Sequence, residues 1–344
     1  YNTALSTLGF RLKSLAFSEL RKAMNDALDT MKAVDSELVT VRKVTGFNEE
    51  QLAALEEQAY KTGSALGTTA DSYLSAAASF ARAGYKEQIA DLAELSAKTQ
   101  LVGDMSAKTA NQFLISVDAA YKLCGSVEEL NKIIDGANEI DNNYATTMEK
   151  LAEGMGIVAP VAAQVGVGVD QLSAALGTIT AVTQRSGSEA ARALRALMLN
   201  IIGDTKTEIE DGARWTAGEI EGLRDVLHQY IPDIMAAADA TGELIDPMEA
   251  IGALAQAYKE GTLNAQELME QVTDISGKLR SSQLLALIQN WDMYESMLGS
   301  FTNAVGSADK EVENALTGWD AKVNILKNTW AEFVSKTIDT NWIK

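Results

Sequence analysis

Proline, aromatic residues and cysteine are scarce in this chain of 344 residues, which has 3 prolines, 6% aromatics and 1 cysteine. Ala, Leu, Met, Glu and Lys are abundant instead, and these residue types favour helices. Runs of Val, Ile, Thr and Tyr with a period of two are missing, which argues against a sheet of any size. We therefore expect an all-α fold.

The scarcity of cysteine and histidine limits metal chemistry. Cys124 and His228 are the only residues of their types, so neither an internal disulfide nor a zinc cluster can form. The acidic run over 208–211 lacks the spaced oxygen ligands of a calcium loop and is more typical of a solvated helix end. We expect no metal site and no cofactor.

Positive charge is also in short supply. The chain has 29 Lys and Arg against 48 Asp and Glu, a formal net charge of −19. This balance argues against a basic face that coats nucleic acid, so we expect no sequence-specific nucleic-acid binding. No secretory signal is visible and Tyr1 is not an initiator methionine, which suggests part of a longer or processed protein.

Candidate catalytic groups are few. Asp225 precedes His228 by three residues and could orient its ring, but no nucleophile with a recognisable elbow accompanies them. Glu153, Glu189 and Asp170 lie in the most apolar region, where a raised pKa could suit a general acid. A sugar-binding cleft would need aromatic residues near these acids, and the sequence has few of them there. We expect no catalytic residue and no enzymatic activity.

The N-terminal segment carries apolar residues on alternating three- and four-residue steps, a heptad pattern that Gly46 closes. The pattern predicts a long helix that either pairs with another copy or packs on its own domain. Both readings stay open. The steps fall, with one break at Lys13, on Phe10, Phe17, Leu20, Met24, Ala27, Met31, Val34, Leu38 and Val41. Of these, the candidate oligomer contacts are Phe17, Leu20, Met24, Met31 and Leu38.

The C-terminal segment repeats this spacing. Tryptophan is large for a two-stranded coil, so its presence favours a wider bundle or docking on a partner surface. The steps fall on Val312, Leu316, Trp319, Val323, Leu326, Trp330 and Phe333. Leu316, Trp319, Val323, Leu326 and Trp330 are the candidate oligomer contacts.

Between these ends, single glycines separate short apolar runs. Gly84, Gly125 and Gly166 are 41 residues apart, and each follows one helical run and precedes another. Glycine suits a helix end in the left-handed conformation, so we expect structural turns here and at Gly187. The equal spacing predicts stacked helix–glycine–helix units, with coincidence as the alternative. The long heptad helices would then flank a compact module of short antiparallel helices joined at glycines.

The stretch 154–184 is strongly apolar, with Asp170 as its one charged residue. This composition indicates either a buried helical hairpin that turns at 166–168 or a segment that enters a membrane. Neither half reaches the roughly 20 apolar residues of a membrane span, which favours the hairpin. The candidate hairpin or membrane residues are Ile157, Val158, Pro160, Val161 and Val165.

These patterns divide the chain into four predicted segments. Residues 1–46 form a coiled-coil-like helix, 47–202 a core of helical hairpins, 203–262 a polar helical insertion with loops, and 263–344 C-terminal helices with a heptad seam. In the second segment, Ser126 and Glu129 have the spacing of a capping box at a helix start, and in the third, Asp246 could cap a helix that starts at Pro247.

Four blocks of the central segment resemble the phage tail tape measure family. In chain order they are Leu66-Gly67-Thr68-Thr69, Ala81-Arg82-Ala83-Gly84, the proline-containing run 158–166, and the Gly187–Arg195 turn into an Ala-rich helix. The last block departs from the family pattern, because Gln184 and Ala191 stand where glycine is common. The resemblance covers 40–202 best.

The resemblance implies a non-enzymatic structural protein of a phage or prophage tail. Such a protein sets tail tube length and is released on infection to assist genome ejection. It implies a virion location inside the tail tube after synthesis in the bacterial cytoplasm. The implied partners are other copies, the tail tube protein, a distal tail or baseplate hub protein, assembly chaperones and, during ejection, the host membrane.

Two other classes remain as alternatives, a membrane-active or pore-forming helical protein of a phage-like delivery system and a peptidoglycan hydrolase. A helical ruler encodes length because a helix advances about 1.5 Å per residue. Helices that fold back at glycines lose that rise. We therefore expect residues 50–300 to be a compact module, with the ruler shaft elsewhere in the full protein.

Overall fold

The computed structural model describes residues 25–202, Pro232, 246–276 and 280–337. All regular structure in these residues is helical, without a strand, so the expected all-α fold is confirmed. The fifteen helices of this described part are α1 (25–45), α2 (Glu49–Leu66), α3 (Ala70–Arg82), α4 (Ile89–Val102), α5 (Ala107–Tyr121), α6 (Val127–Asn143), α7 (Met148–Gln164), α8 (Val169–Thr183), α9 (Gly187–Ile202), α10 (Pro247–Lys259), α11 (Ala265–Ser276), α12 (Ser281–Gln289), α13 (Trp291–Thr302), α14 (Ser307–Ala315) and α15 (Trp319–Thr337).

The helices group into two compact units. Unit 1 combines both ends of the chain, Tyr1–Leu101 and Glu311–Lys344, and unit 2 is the continuous segment Val102–Lys310. The four predicted segments are drawn on other boundaries, and much of 203–262 lies outside the described residues. That division stays a prediction.

In unit 1, α2 packs against both α3 and α15. The contact of α2 with α15 is close because small residues meet there: a Cβ added to Gly67 would lie 2.6 Å from the Cβ of Ala321. Gly67 also has φ of +64° at the end of α2, a conformation that glycine adopts without steric cost. Both features explain a glycine at this position.

The connection between α2 and α3 is held by two asparagines of α15. The side chain of Asn324 donates to the carbonyl of Gly67 at 2.9 Å, and that of Asn328 donates to the carbonyl of Thr68 at 2.7 Å. Buried backbone carbonyls need such partners, because water cannot reach them. The Leu-Gly-Thr-Thr block is therefore a docking point for α15.

In unit 2, α8 is the central helix. It contacts α6, α7, α9, α12 and α13, and its residues from Leu172 to Thr180 are all buried. Its buried hydroxyl groups form hydrogen bonds within the helix, because Thr178 and Thr180 donate to the carbonyls of Ala174 and Leu176 on the preceding turn. The apolar stretch 154–184 therefore forms the α7–α8 hairpin inside the core of unit 2.

A second tie in unit 2 joins α6 to the start of α14. The buried carboxylate of Asp135 accepts from the backbone N–H groups of Gly306 (2.9 Å) and Ala308 (3.0 Å). The Ser307 hydroxyl accepts from Asn138 at 2.9 Å and donates to Glu139 at 2.8 Å. One face of α6 thus caps a helix that begins about 170 residues later in the chain.

The capping signals read from the sequence have two outcomes. The Asp246 side chain accepts from Met248 N at 2.8 Å and α10 starts at Pro247, so this prediction is confirmed. The Ser126 hydroxyl accepts from Glu129 N at 3.3 Å. The reciprocal half of the predicted box is missing, because Ser126 N donates to the carbonyl of Leu123 instead. The Glu129 carboxylate pairs with Lys132.

Three of the four glycines predicted as turns have left-handed backbones between helices. Gly84 (φ +100°), Gly125 (φ +75°) and Gly166 (φ +84°) follow α3, α5 and α7. Gly187 differs, because it is the first residue of α9 and is not among the residues with positive φ. A Cβ there would lie 1.8 Å from the carbonyl oxygen of Lys150, so this glycine permits close packing of α9 on α7.

Candidate interaction surface

One face of α15 is apolar and exposed. Trp319, Leu326 and Phe333 recur at seven-residue intervals, with 79%, 69% and 55% of their surface exposed. The half-buried Trp330 stacks on Phe333 with ring centroids 5.6 Å apart. We call Trp319, Leu326, Trp330 and Phe333 the α15 stripe. Exposed apolar side chains aligned in this way are uncommon on a monomer and mark interaction sites.

The opposite face of α15 faces the interior of unit 1. Its buried residues are Ala321, Asn328, Ala331 and Val334, which are smaller than those of the stripe. Small side chains let the axes of two helices approach, and this brings α15 onto α2. Of the predicted seam residues, Leu316 and Val323 are half-buried. The seam is also interrupted, because α14 ends at Ala315 and α15 begins at Trp319.

Lysines flank the stripe. Lys322, Lys327 and Lys336 are exposed on α15, and Lys336 pairs with Glu332 at 2.7 Å. Asp320 is the exposed acidic residue of the same helix. A chain with a formal charge of −19 thus carries a helix whose exposed face combines apolar and cationic side chains.

The described part of the N-terminal seam packs within unit 1. Ala27, Val34 and Val41 are buried, whereas the predicted contacts Met31 and Leu38 are half-buried. The other predicted contacts, Phe17, Leu20 and Met24, lie outside the described residues. At these positions α1 buries its apolar face in its own unit, which was one of the two readings left open.

Between α1, α2 and the end of α15 lies a cavity of about 570 Å³, which we call the α1–α2 groove. Its apolar lining comes mainly from α1, and Tyr60 contributes from α2. Four carboxylates and two ammonium groups complete the lining. The groove residues are Leu28, Met31, Lys32, Val34, Asp35, Leu38, Ala53, Glu56, Glu57, Tyr60, Glu332, Ser335 and Lys336.

The pKa values of Glu56 and Tyr60, which both line this groove, are raised. Burial raises the pKa of the Glu56 carboxyl, and the negative charge of Asp35 raises it further. The Tyr60 hydroxyl is buried and has no hydrogen-bond partner among the described residues. Burial, together with the charge of Glu56, raises the pKa of Tyr60 as well, so its hydroxyl stays protonated.

The hairpin residues singled out in the sequence lie on different sides of α7, except Val165, which directly follows it. Val158 and Val165 are buried, Ile157 and Val161 are half-buried, and Pro160 is exposed within the helix. These side chains therefore share no continuous apolar surface. Among the described helices, none has the length and apolarity needed to cross a membrane.

The three carboxylates considered for catalysis line no common cavity among those found in the described residues. Glu153 lines a cavity of about 460 Å³ beside α5 and α7, while Asp170 lines another of about 490 Å³. Glu189 closes a capping box, because Ser186 Oγ accepts from Glu189 N at 3.2 Å and the Glu189 carboxylate accepts from Ser186 N at 3.4 Å. A hydrogen bond from Arg185 lowers the pKa of Glu189, opposite to what a general acid needs.

Those of the remaining candidates that the structure describes form no second site. Cys124 is exposed in the α5–α6 connection, and in the described residues no three His, Cys, Asp or Glu side chains are grouped as metal ligands would be. Asp225, His228 and the acidic run 208–211 lie outside the described residues. Sequence reasoning missed the α1–α2 groove, since its lining joins residues about 300 positions apart.

The sequence matches a known family. The sequence model of a family described as phage-related minor tail protein matches residues 56–279. This range contains all four blocks on which the resemblance was based. A search of solved structures yields no significant match.

Proposed function

Since the chain belongs to the phage-related minor tail protein family, we propose that it is the compact part of a tail tape measure protein. The family supports a structural role in a phage tail and a place in the virion. The tape measure assignment adds that the chain sets the length of the tail tube from within its lumen. Its release on infection would then assist genome ejection.

One observation carries this proposal. The α15 stripe presents large apolar side chains at seven-residue intervals and stays exposed on the outside of unit 1. A ruler made of several copies needs such helical faces, because seven-residue spacing lets neighbouring helices pack along their length. The stripe supports association with other copies inside the tube. The tube protein, a distal tail or baseplate hub protein and the assembly chaperones are further proposed partners.

The compactness of the described helices supports a division of roles between parts of the full protein. In unit 2 the chain folds back at Gly166, where α7 packs on α8, and α5 packs on α7, so this segment spans far less than a continuous helix would. Length encoding would therefore reside in extended helical residues outside 50–300. The compact part would anchor the ruler to a neighbouring tail component.

Tail lengths measured by electron microscopy test the proposal. In a phage or prophage that carries this gene, we expect its removal to abolish tails or leave their length uncontrolled. Deletion of about 70 residues from an extended helical shaft should shorten tails by about 105 Å, at about 1.5 Å per residue. Tails of normal, uniform length without the gene would refute the tape measure role.

A matched deletion tests the division of labour. Removing helical residues within 66–195 should block tail assembly, because these residues form packed cores. If such deletions shortened tails by about 1.5 Å per residue while virions stayed infectious, the compact-part assignment would be wrong.

A further inference from the structure

The α1–α2 groove has the size of a binding site. Its volume of about 570 Å³ falls within the range of about 300–1,000 Å³ typical of protein pockets. Leu28, Met31, Val34 and Leu38 give it an apolar wall along α1. The buried Tyr60 hydroxyl, which has no partner among the described residues, adds a polar group whose hydrogen bond is unfulfilled. An occupant with apolar side chains would cover the α1 wall, and a polar or cationic group on it could hydrogen-bond to the Tyr60 hydroxyl.

The charge of the groove points to a cationic occupant. Asp35, Glu56 and Glu57 lie on its α1 and α2 walls. Both lysines of the lining already pair with carboxylates, Lys32 with Asp29 and Lys336 with Glu332. The raised pKa of Glu56 reflects burial and the neighbouring negative charge of Asp35. A positive charge brought into the groove would offset that repulsion.

The α15 stripe has the complementary chemistry. Trp319 and Leu326 are among the most exposed large apolar side chains of the described residues, and Lys322 and Lys327 are exposed on the same helix. We propose that the α15 stripe of one copy docks in the α1–α2 groove of a second copy. The apolar side chains would fill the groove while the two lysines meet its carboxylates.

This contact is heterologous, because two different surfaces of the chain meet. Each copy keeps one unused stripe and one unused groove, so copies would add head to tail, either closing into a ring or continuing as an open series according to the rotation between neighbours. The proposal deepens the self-association put forward under the proposed function and rests on it. It differs from pairing of two stripes, which would close after two copies.

Sedimentation of the full chain and two variants tests the arrangement. The stripe variant is Leu326→Asp, and the groove variant combines Asp35→Lys with Glu57→Lys; all three positions are exposed. We expect the parent chain to form a concentration-dependent series of oligomers. Each variant alone should associate at least about tenfold more weakly, since desolvated or reversed charges oppose docking.

Mixing the two variants gives the sharpest outcome. The groove variant keeps an intact stripe and the stripe variant keeps an intact groove, so the mixture should form a one-to-one complex that grows no further. Met269→Asp is the matched control, because Met269 is 55% exposed in α11 and belongs to neither surface. Its association should equal that of the parent, and circular dichroism should show all variants equally helical.

A charge swap provides a second measurement. Adding Lys322→Glu and Lys327→Glu to the groove variant should restore association, and added salt should weaken association of the parent chain. If Leu326→Asp abolishes association while the groove variant associates normally, stripes pair with each other and the groove assignment is wrong. A parent chain that stays monomeric at all concentrations also overturns it. The tail-length experiment stands apart from both results.

Discussion

Asn328 of α15 and Thr68 of the α2–α3 connection are joined by a hydrogen bond of 2.7 Å across 260 residues of sequence. The same side chain accepts from Ala70 N at 3.3 Å and is fully buried. One amide thus satisfies a carbonyl and an N–H on either side of Thr69. The start of α3 has no side-chain cap from Thr69, and Asn328 supplies the missing acceptor.

Replacing Asn328 with alanine should therefore be costly. The Thr68 carbonyl and the Ala70 N–H would both lose a buried partner, and each unsatisfied group costs about 1–3 kcal/mol. We expect the free energy of unfolding, measured in urea by circular dichroism, to fall by about 2–4 kcal/mol. Thr329→Ala, one position along and exposed, is the control and should stay within about 0.5 kcal/mol. Equal effects from the two variants would contradict the proposed role of Asn328.

Two helical glycines should respond in opposite directions to alanine. Gly187→Ala would place a methyl group against the Lys150 carbonyl, so α9 must move away from α7 at a cost of about 1–3 kcal/mol or more. Gly156 lies inside α7 with no neighbour within 4 Å of an added Cβ. Gly156→Ala should stabilise by about 0.5–1 kcal/mol. Thermal unfolding of the two variants checks the signs, and a stabilised Gly187→Ala chain would show the α7–α9 contact to be looser than described.

Loss of the Asp135 carboxylate should destabilise the start of α14. Asp135→Ala leaves two backbone N–H groups without their acceptor, and loss of a helix cap costs about 0.5–2 kcal/mol. Hydrogen exchange at Gly306 and Ala308 should accelerate together with the loss of stability. Glu128→Ala removes an exposed carboxylate from the same helix and should change neither measurement by more than about 0.5 kcal/mol. Unchanged exchange in Asp135→Ala would argue against the cap.

Glu56 gives a pH dependence with a defined sign. Burial and Asp35 raise its pKa in the folded chain above the ordinary value of 4.5. The stability that this group contributes is complete below 4.5 and is lost as pH rises through the raised pKa, because the unfolded chain ionises more easily. Glu56→Gln should therefore raise Tm at neutral pH. The difference from the parent should vanish as the solution is acidified below 4.5, and a difference that grows on acidification would contradict the assignment.

Local signals in the sequence predicted much of the backbone. The cap at Asp246 and the left-handed glycines Gly84, Gly125 and Gly166 depend on a few neighbouring residues, so they can be read without knowing the fold. The composition of 154–184 favoured a buried hairpin over a membrane segment, because neither half reaches the roughly 20 apolar residues of a membrane span.

The orientation of α15 could not be read in the same way. The seven-residue spacing identified Trp319 and Leu326 as seam residues, yet the face that meets α2 carries Ala321 and Ala331. Two helices pack closely where the side chains between them are small. The heptad pattern, in contrast, selects large apolar residues as the expected contacts. The partner of α15 depends on a contact between distant parts of the chain, which no local pattern records.

Unit 1 is closed by a contact between α2 and α15, and the whole of unit 2 lies between them along the chain. If the protein is pulled from its two ends, tension is carried across that contact, and unit 2 bears none of it while the contact holds. The hydrogen bonds of Asn324 and Asn328 then bear part of this load. Once they break, unit 2 can extend. The stability of unit 1 therefore sets the force at which the chain lengthens.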